Sequence, residues 1–332
     1  MRKNNNSKFS FFDKLFAHLE TLRLYTVIWC GLVSLAGSCL ISKGIPETDI
    51  WILALFVPMM GWMAGLYLSD FLDRKLDKIE KPHRPIPSGR IYPYEALFVG
   101  AVFAGTGLVF SIYLSIYNLI LVFVVAFLVL GYAKFTKSRG FIGNLNRGMV
   151  TVAAFFYGVF SIDPDISNIP IYIFFLSFVF LFHDTNSNLV GAIRDMRGDK
   201  KGGYQTIPVK LGLKNSIIIS SVLTVIWLSL MFFSVIKYDF LKIGFYLLII
   251  IDLTILLLLY IYLISSIKNY NRGKALKFHE FFIVERITLA SALIIGVTNI
   301  SFGILIYIFS LIITVTSQYF LRSRYEFQGK YK

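Results

Sequence analysis

The chain has 332 residues and is 56% hydrophobic, above the roughly 45–50% of a soluble globular domain. Its 33 Lys+Arg against 19 Asp+Glu give a net charge of +14, but no RNA- or DNA-binding motif accompanies the basic residues, so no nucleic-acid partner is expected. Most of the apolar runs exceed about 18 residues, enough to cross a bilayer. The expected fold class is therefore all-α, a single polytopic membrane domain rather than the two soluble domains that length alone would suggest.

In chain order, residues 1–21 are polar and amphipathic and lack a small-residue cleavage site, so they read as an N-terminal segment rather than a removable signal. Ten candidate spans follow, at 22–41, 50–70, 93–114, 117–135, 145–162, 169–191, 214–236, 240–266, 280–297 and 299–321. They define one transmembrane domain over 22–321, and residues 322–332 form a basic C-terminal tail. With the N-terminus in the cytoplasm, every Lys and Arg except Lys43, Lys237 and Lys242 falls on the cytoplasmic side. That bias is the positive-inside signal of a multi-pass protein of the cell membrane. Cys30 and Cys39 in the first span lie nine residues apart, on opposite helix faces, so neither a disulfide nor a metal site is expected of them.

The second span ends in "SDFLDRKLDKIEKPHRPIPSGR" (69–90). Asp70, Asp73 and Asp77 are spaced i, i+3, i+7, which gathers them on one side of a helix. The sixth span carries His183, Asp184, Asn186 and Asn188 and then Asp195 and Asp199, spaced i, i+4. Asn188 lies two helical turns before Asp195 and points the same way. Like charges cluster at a cost unless something positive compensates, and carboxylate oxygens suit Mg²⁺, which takes one or two carboxylates and completes its shell with water and phosphate. Two such clusters, both at span ends on one side and each followed by a Pro–Gly exit ("RPIPSG", "TIPVKLG"), look like two halves of one site for a diphosphate. Solvated loop charge accounts for one cluster about as well, but poorly for a matched pair.

Between them, in "YAKFTKSRGFIGN" (132–144), Lys137 and Arg139 can bind a terminal phosphate and stabilise a leaving diphosphate, and Arg84 can serve the same end. Taken alone, this segment reads equally well as a topology signal. Asp252, deep in the eighth span, must be paired, protonated or facing a cavity. A structural role for His183 is as plausible as a substrate contact.

These ordered features resemble the UbiA superfamily of intramembrane prenyltransferases over roughly residues 20–300. Ser69-Asp70…Asp73…Asp77 is similar to that family's N-D-x-x-D-x-x-x-D, and "TKSRGFIGN" to its L-K-R-x-G-x-x-G-N. "NLVGAIRDMRGDKKGGYQTIPVKLG" (188–212) is similar to its second aspartate motif. The resemblance implies nine to ten transmembrane helices around a central cavity, with cytoplasmic caps bearing the aspartates. It implies Mg²⁺ bridging an isoprenyl diphosphate to Asp73, Asp195 and Asp199, with Asp70 and Asp77 supporting, and Lys137 on the diphosphate. Ser69 stands where the family has Asn, a shorter ligand. The family usually has nine spans, and this chain has ten candidates.

The implied reaction is Mg²⁺-dependent prenyl transfer to a lipophilic acceptor, first of all an aromatic or quinone-precursor ring. A glycerol-phosphate lipid, a carotenoid end or cyclisation of the prenyl chain itself is the alternative within the superfamily. "IRDMRGDKKGG" looks closer to lipid- and naphthoate-type members. From another class, an ion-coupled transporter would use Asp184 and Asp252 as ion sites, but it needs matching broken helices in the two halves, and no convincing pair is seen.

Overall fold

The computed structural model describes residues 9–327, so parts of the expected N-terminal segment and C-terminal tail, 1–8 and 328–332, lie outside the described residues. Helix α1 (Phe11–Leu22) is followed by ten long helices: α2 (Leu24–Ser42), α3 (Thr48–Glu80), α4 (Pro93–Leu114), α5 (Ile116–Gly131), α6 (Phe141–Phe160), α7 (Ile171–Lys201), α8 (Ile207–Tyr238), α9 (Ile243–Ser265), α10 (Arg272–Val297) and α11 (Ile300–Ser317). A short α12 (Ser323–Phe327) ends the described residues, and no strand occurs among them.

Each expected span corresponds to one of α2–α11. Eight described helices are long and apolar enough by themselves to cross a membrane. α6 and α10 are not among them, because they carry Asn144, Arg147, Glu285 and Arg286 within their length. The largest boundary differences fall on α3, α7 and α8. Apolarity stops where the charges begin, but charged residues at helical spacing do not stop a helix. α3 continues to Glu80, just before Pro82, and α7 to Lys201, just before Gly202. At 33 and 31 residues these helices are roughly 45–50 Å long, against a hydrocarbon core of about 30 Å. Their last turns therefore project beyond the membrane and carry the aspartates with them.

α2 is the centre of the bundle, buried along nearly its whole length and packed by α3, α6, α10 and α11. Its contact with α6 is backbone-close. A Cβ added at Gly37 would lie 2.4 Å from the Phe155 carbonyl oxygen, and one at Gly158 only 1.7 Å from that of Ser34. Small residues at such crossings let helices pack without a hydrophobic driving force between them.

Both ends of the described chain, α1 and α12, fold onto the same end of the bundle. α1 starts with a Ser10–Asp13 capping box. It buries Glu20 in a paired contact with Arg90, at 2.9 and 2.7 Å, and leaves Phe11, Phe12, Leu15 and Phe16 exposed, the habit of a helix lying in a membrane interface. The described part of the expected basic tail is no extension. A π-turn (Gln318–Arg322) and α12 bring Arg322, Tyr325 and Glu326 into buried positions. The basic residues that read as a solvated tail are drawn in by carboxylate and ring partners far away in sequence.

Candidate functional site

The projecting ends of α3 and α7, the 132–140 connection and the start of α8 surround a cavity of about 1280 Å³. Ser69, Asp70, Asp73, Asp77, Arg84, Lys137, Asn188, Asp195 and Asp199 all line it. Arg139 does not; it is exposed outside the cavity, so its expected phosphate contact is not supported by its placement.

The three aspartates of α3 divide by helical phase. At 100° per residue, Asp77 sits about 20° from Asp70, whereas Asp73 is rotated by about 60°. Asp70 and Asp77 thus share a stripe already occupied by protein partners. Asp70 pairs with Arg23 and accepts from the Tyr325 hydroxyl at 2.8 and 3.0 Å. Asp77 accepts twice from Arg84, at 3.0 and 2.8 Å. Arg84, expected as a phosphate ligand, is held there, with its guanidinium 4.2 Å from the Tyr325 ring centre. Asp73 instead faces the 132–140 connection, where Lys137 Nζ donates to it at 2.8 Å.

On α7, Asp195 accepts from Arg194 Nε at 3.0 Å. Burial raises its pKa, but the neighbouring guanidinium outweighs that and holds the carboxyl below its usual range. Asp199 is pushed up to about 6 by burial and by the charge of Asp195. Among the described residues only Thr206 Oγ1 donates to its carboxylate, at 3.2 Å. Asn188 meets the amide of Asn144 at 3.1 Å.

Lys137 reaches the site because its loop turns sharply. A five-residue π-turn (Tyr132–Thr136) ends α5, and Gly140, at φ 59° and ψ −125°, starts α6. A Cβ at Gly143 would lie 2.5 Å from the Thr136 carbonyl oxygen, so the two glycines fold the loop back against the first turn of α6. Burial would lower the Lys137 pKa, but Asp73 more than offsets this and raises it. The ammonium also stands 5.5 Å from the Tyr204 ring centre.

A second, largely apolar cavity of about 500 Å³ runs between α3, α4, α5 and α6. It shares Trp62, Leu66, Ser69, Asp73, Tyr132, Lys137 and Arg147 with the first. The charged chamber therefore continues into a greasy groove at Asp73 and Lys137.

Among the described residues, no three acidic, histidine or cysteine side chains stand close enough to enclose a metal ion by themselves. The donors are nevertheless all hard oxygens, from Asp73, which meets only the Lys137 ammonium among the described residues, from Asp199, which meets only Thr206 there, and from Asp70, Asp77 and Asp195, which are each paired with a guanidinium. Such a set fits Mg²⁺ that draws part of its shell from a substrate and does not fit a closed structural site.

The sequence reading missed the counter-ions. Arg23 and Tyr325 are 47 and 255 residues from Asp70, beyond any local pattern. Glu326, which Lys81 and Arg272 approach at 3.6 and 3.7 Å, is of the same kind. Arg194 stood beside Asp195 and could have been read. Of the residues without a role, Asp184 lines the cavity and lies 3.9 Å from Arg286. His183 is fully buried against Glu285 at 3.0 Å among Trp29, Trp227 and Phe282, a structural setting. Asp252 is fully buried without a hydrogen-bond partner among the described residues.

The fold is thus a helical membrane bundle in which a chamber rich in carboxylates and cations opens into an apolar groove. The UbiA prenyltransferase family profile matches residues 28–285, and the chain belongs to that family, whose members transfer prenyl groups. A digeranylgeranylglyceryl phosphate synthase of Sulfurisphaera tokodaii is 31% identical over 78% of this chain and 91% of its own length. Another, from Methanocaldococcus jannaschii, is 31% identical over 86% and 98%. A structure solved in a study of digeranylgeranylglyceryl phosphate synthase in membranes has a TM-score of 0.64 at 27% identity, covering 86% of this chain and 98% of that one. A UbiA homologue from Archaeoglobus fulgidus, bound to DMAPP and Mg²⁺, has a TM-score of 0.58 at 16% identity over 82% and 99%, a likeness of fold.

Proposed function

We propose that this prenyltransferase is Mg²⁺-dependent and moves a geranylgeranyl group from its diphosphate onto the free hydroxyl of geranylgeranylglyceryl phosphate, on the cytoplasmic face of the membrane. The observation that carries the donor half is the junction of the two cavities at Asp73 and Lys137, which lets one molecule place a diphosphate among charges and its tail in the groove. The acceptor half is supported by relatives that are digeranylgeranylglyceryl phosphate synthases over most of their length. It replaces the aromatic ring expected first and agrees with the Gly- and Arg-rich segment around Asp195. Membership of a transferase family also supplants the transporter reading.

Asp73, Asp195 and Asp199 would hold Mg²⁺, which supplies charge neutralisation for the departing diphosphate. Asp70 and Asp77, already paired, keep the end of α3 in place. Lys137 donates to the diphosphate as negative charge builds there, exchanging its contact with Asp73 for one with phosphate. The C1–oxygen bond breaks with its electron pair on the diphosphate. The acceptor hydroxyl oxygen bonds to C1, and its proton leaves with the diphosphate. The groove keeps water from the allylic carbon.

The test is incubation of membranes containing the protein with geranylgeranyl diphosphate, Mg²⁺ and either geranylgeranylglyceryl phosphate or an aromatic hydroxy acid, with products identified by mass. Digeranylgeranylglyceryl phosphate, formed with release of diphosphate and abolished by chelation, is expected. A prenylated ring or a cyclised terpene in its place would overturn the reading.

A further inference from the structure

Four cations of the chamber are each held by an aspartate: Arg23 on Asp70, Lys137 on Asp73, Arg84 on Asp77 and Arg194 on Asp195. Arg147 has none. It sits on α6, half-buried, lines both cavities, and makes no hydrogen bond or ion pair with any described residue. Its guanidinium lies 4.1 Å from the Trp62 ring centre. Arg286 lines the same chamber and is 5% exposed. It donates to Ser187 at 3.0 Å, stands 3.9 Å from Asp184 and 4.8 Å from the Trp29 ring centre, and leaves Nε and Nη2 unpartnered. Arg147 thus pairs with no carboxylate among the described residues, and Arg286 stands only 3.9 Å from Asp184, inside a membrane bundle. An arginine so placed is costly unless it serves a ligand or a water-filled path.

Depth separates this pair from the donor's diphosphate. Trp62, beneath Arg147, precedes Asp73 by 11 residues of α3, and Ser187, against Arg286, precedes Asp195 by eight residues of α7. Those separations correspond to about 16 and 12 Å of helix rise, more than one diphosphate spans. A second anion at that depth fits a molecule that presents the nucleophile to the donor from below the metal end.

We propose that Arg147, supported by Arg286, forms an anion subsite that holds the phosphate monoester of the acceptor. This deepens the reading of the acceptor as a prenylglyceryl phosphate and rests on it. The planar guanidinium can take two phosphate oxygens at once, and the tryptophan beneath fixes its plane. The subsite selects a phosphorylated glycerol ether over its dephosphorylated counterpart and places the free hydroxyl toward the metal end.

Two measurements on the full-length protein in detergent test this. The first is binding, read as a change in tryptophan fluorescence on titration with hexylglyceryl phosphate or with hexylglycerol. Trp62→Phe serves as the control, because Trp62 is the reporter beneath Arg147. The phosphorylated probe is expected to bind wild type about 10- to 100-fold more tightly than Arg147→Gln, with Arg147→Lys in between. Hexylglycerol should bind weakly and equally to all three. The second is kinetic: Arg147→Gln should raise KM for geranylgeranylglyceryl phosphate by a similar factor without raising KM for the donor. If wild type makes no product from that acceptor but still prefers the phosphorylated probe through Arg147, the subsite stands and the choice of acceptor fails. Equal binding of the phosphorylated probe by wild type and Arg147→Gln, or a rise in donor KM instead, overturns the subsite.

Discussion

In the proposed site, burial and neighbouring charge shift the ionisation of Asp199 and Lys137 in opposite senses, Asp199 toward its neutral form and Lys137 toward its charged one. With its pKa raised to about 6 by burial and Asp195, Asp199 is an anion above that pH and protonated below it. A metal ion binding there must displace the proton. The Mg²⁺ concentration giving half-maximal rate should therefore be flat between pH 7 and 8 and rise about tenfold per unit below about 6; Asp199→Asn should weaken metal binding and remove that pH dependence. Lys137 is shifted the other way, held charged by Asp73. Lys137→Ala should insert normally, yet lose about 10- to 150-fold in kcat/KM for the donor, the worth of a charged hydrogen bond made in the transition state, and Lys137→Arg should recover part of it. An unchanged kcat/KM in the alanine variant would reduce Lys137 to a topology signal. Which of these residues belong together was legible from spacing alone, because carboxylates at i, i+3, i+4 and i+7 declare a shared side. How they divide was not: Asp70 and Asp77 are silenced by Arg23, Arg84 and Tyr325, partners brought in by tertiary folding.

At the scale of elements, the loop that delivers Lys137 depends on two glycines and the cap over Asp70 on one tyrosine. Gly140→Ala forces a side chain into a backbone region that only glycine occupies freely, at about 1–3 kcal/mol. Kinetic data should show it mimicking Lys137→Ala, with a raised donor KM. Tyr325→Phe removes the hydroxyl that Asp70 accepts twice and should lower stability by about 1–2 kcal/mol, seen as a lower midpoint in detergent unfolding; no shift would mean that α12 is dispensable. The ten long helices α2–α11 were legible because an apolar run of bilayer length has few other readings. Their ends were not, because α3 and α7 run on as charged helix, and α8 begins before Gly212, whose φ of 76° interrupts it. The fold-back of 322–327 was hidden for a different reason: a short basic stretch after the last span reads as a solvated tail unless its buried partners are known.

For the molecule as a whole, the proposed function divides the labour between a charged chamber for the reacting end and an apolar groove for the tail. The groove's wall along α3 includes Gly61 and Gly65. A Cβ at Gly61 would meet nothing within 4 Å, and one at Gly65 would meet only Val129, at 3.8 Å. Larger side chains at these positions enter the groove rather than a neighbouring helix, and leucine is a better helix former than glycine by about 0.8 kcal/mol, so the fold should accept them. Gly65 lies eight residues from Asp73 and Gly61 twelve, which sets the obstruction about 12 and 18 Å of helix rise from the metal end. Gly65→Leu should therefore block the groove early, favouring geranyl over geranylgeranyl diphosphate. Gly61→Leu should block it later and shift preference only partway, toward farnesyl. The check is kcat/KM for the three donors against one acceptor in each variant, with the pattern of preference as the readout rather than the absolute rate. If both leucine variants keep the wild-type order of donors, the tail does not lie along α3, and this groove is a lipid-filled seam rather than a donor site.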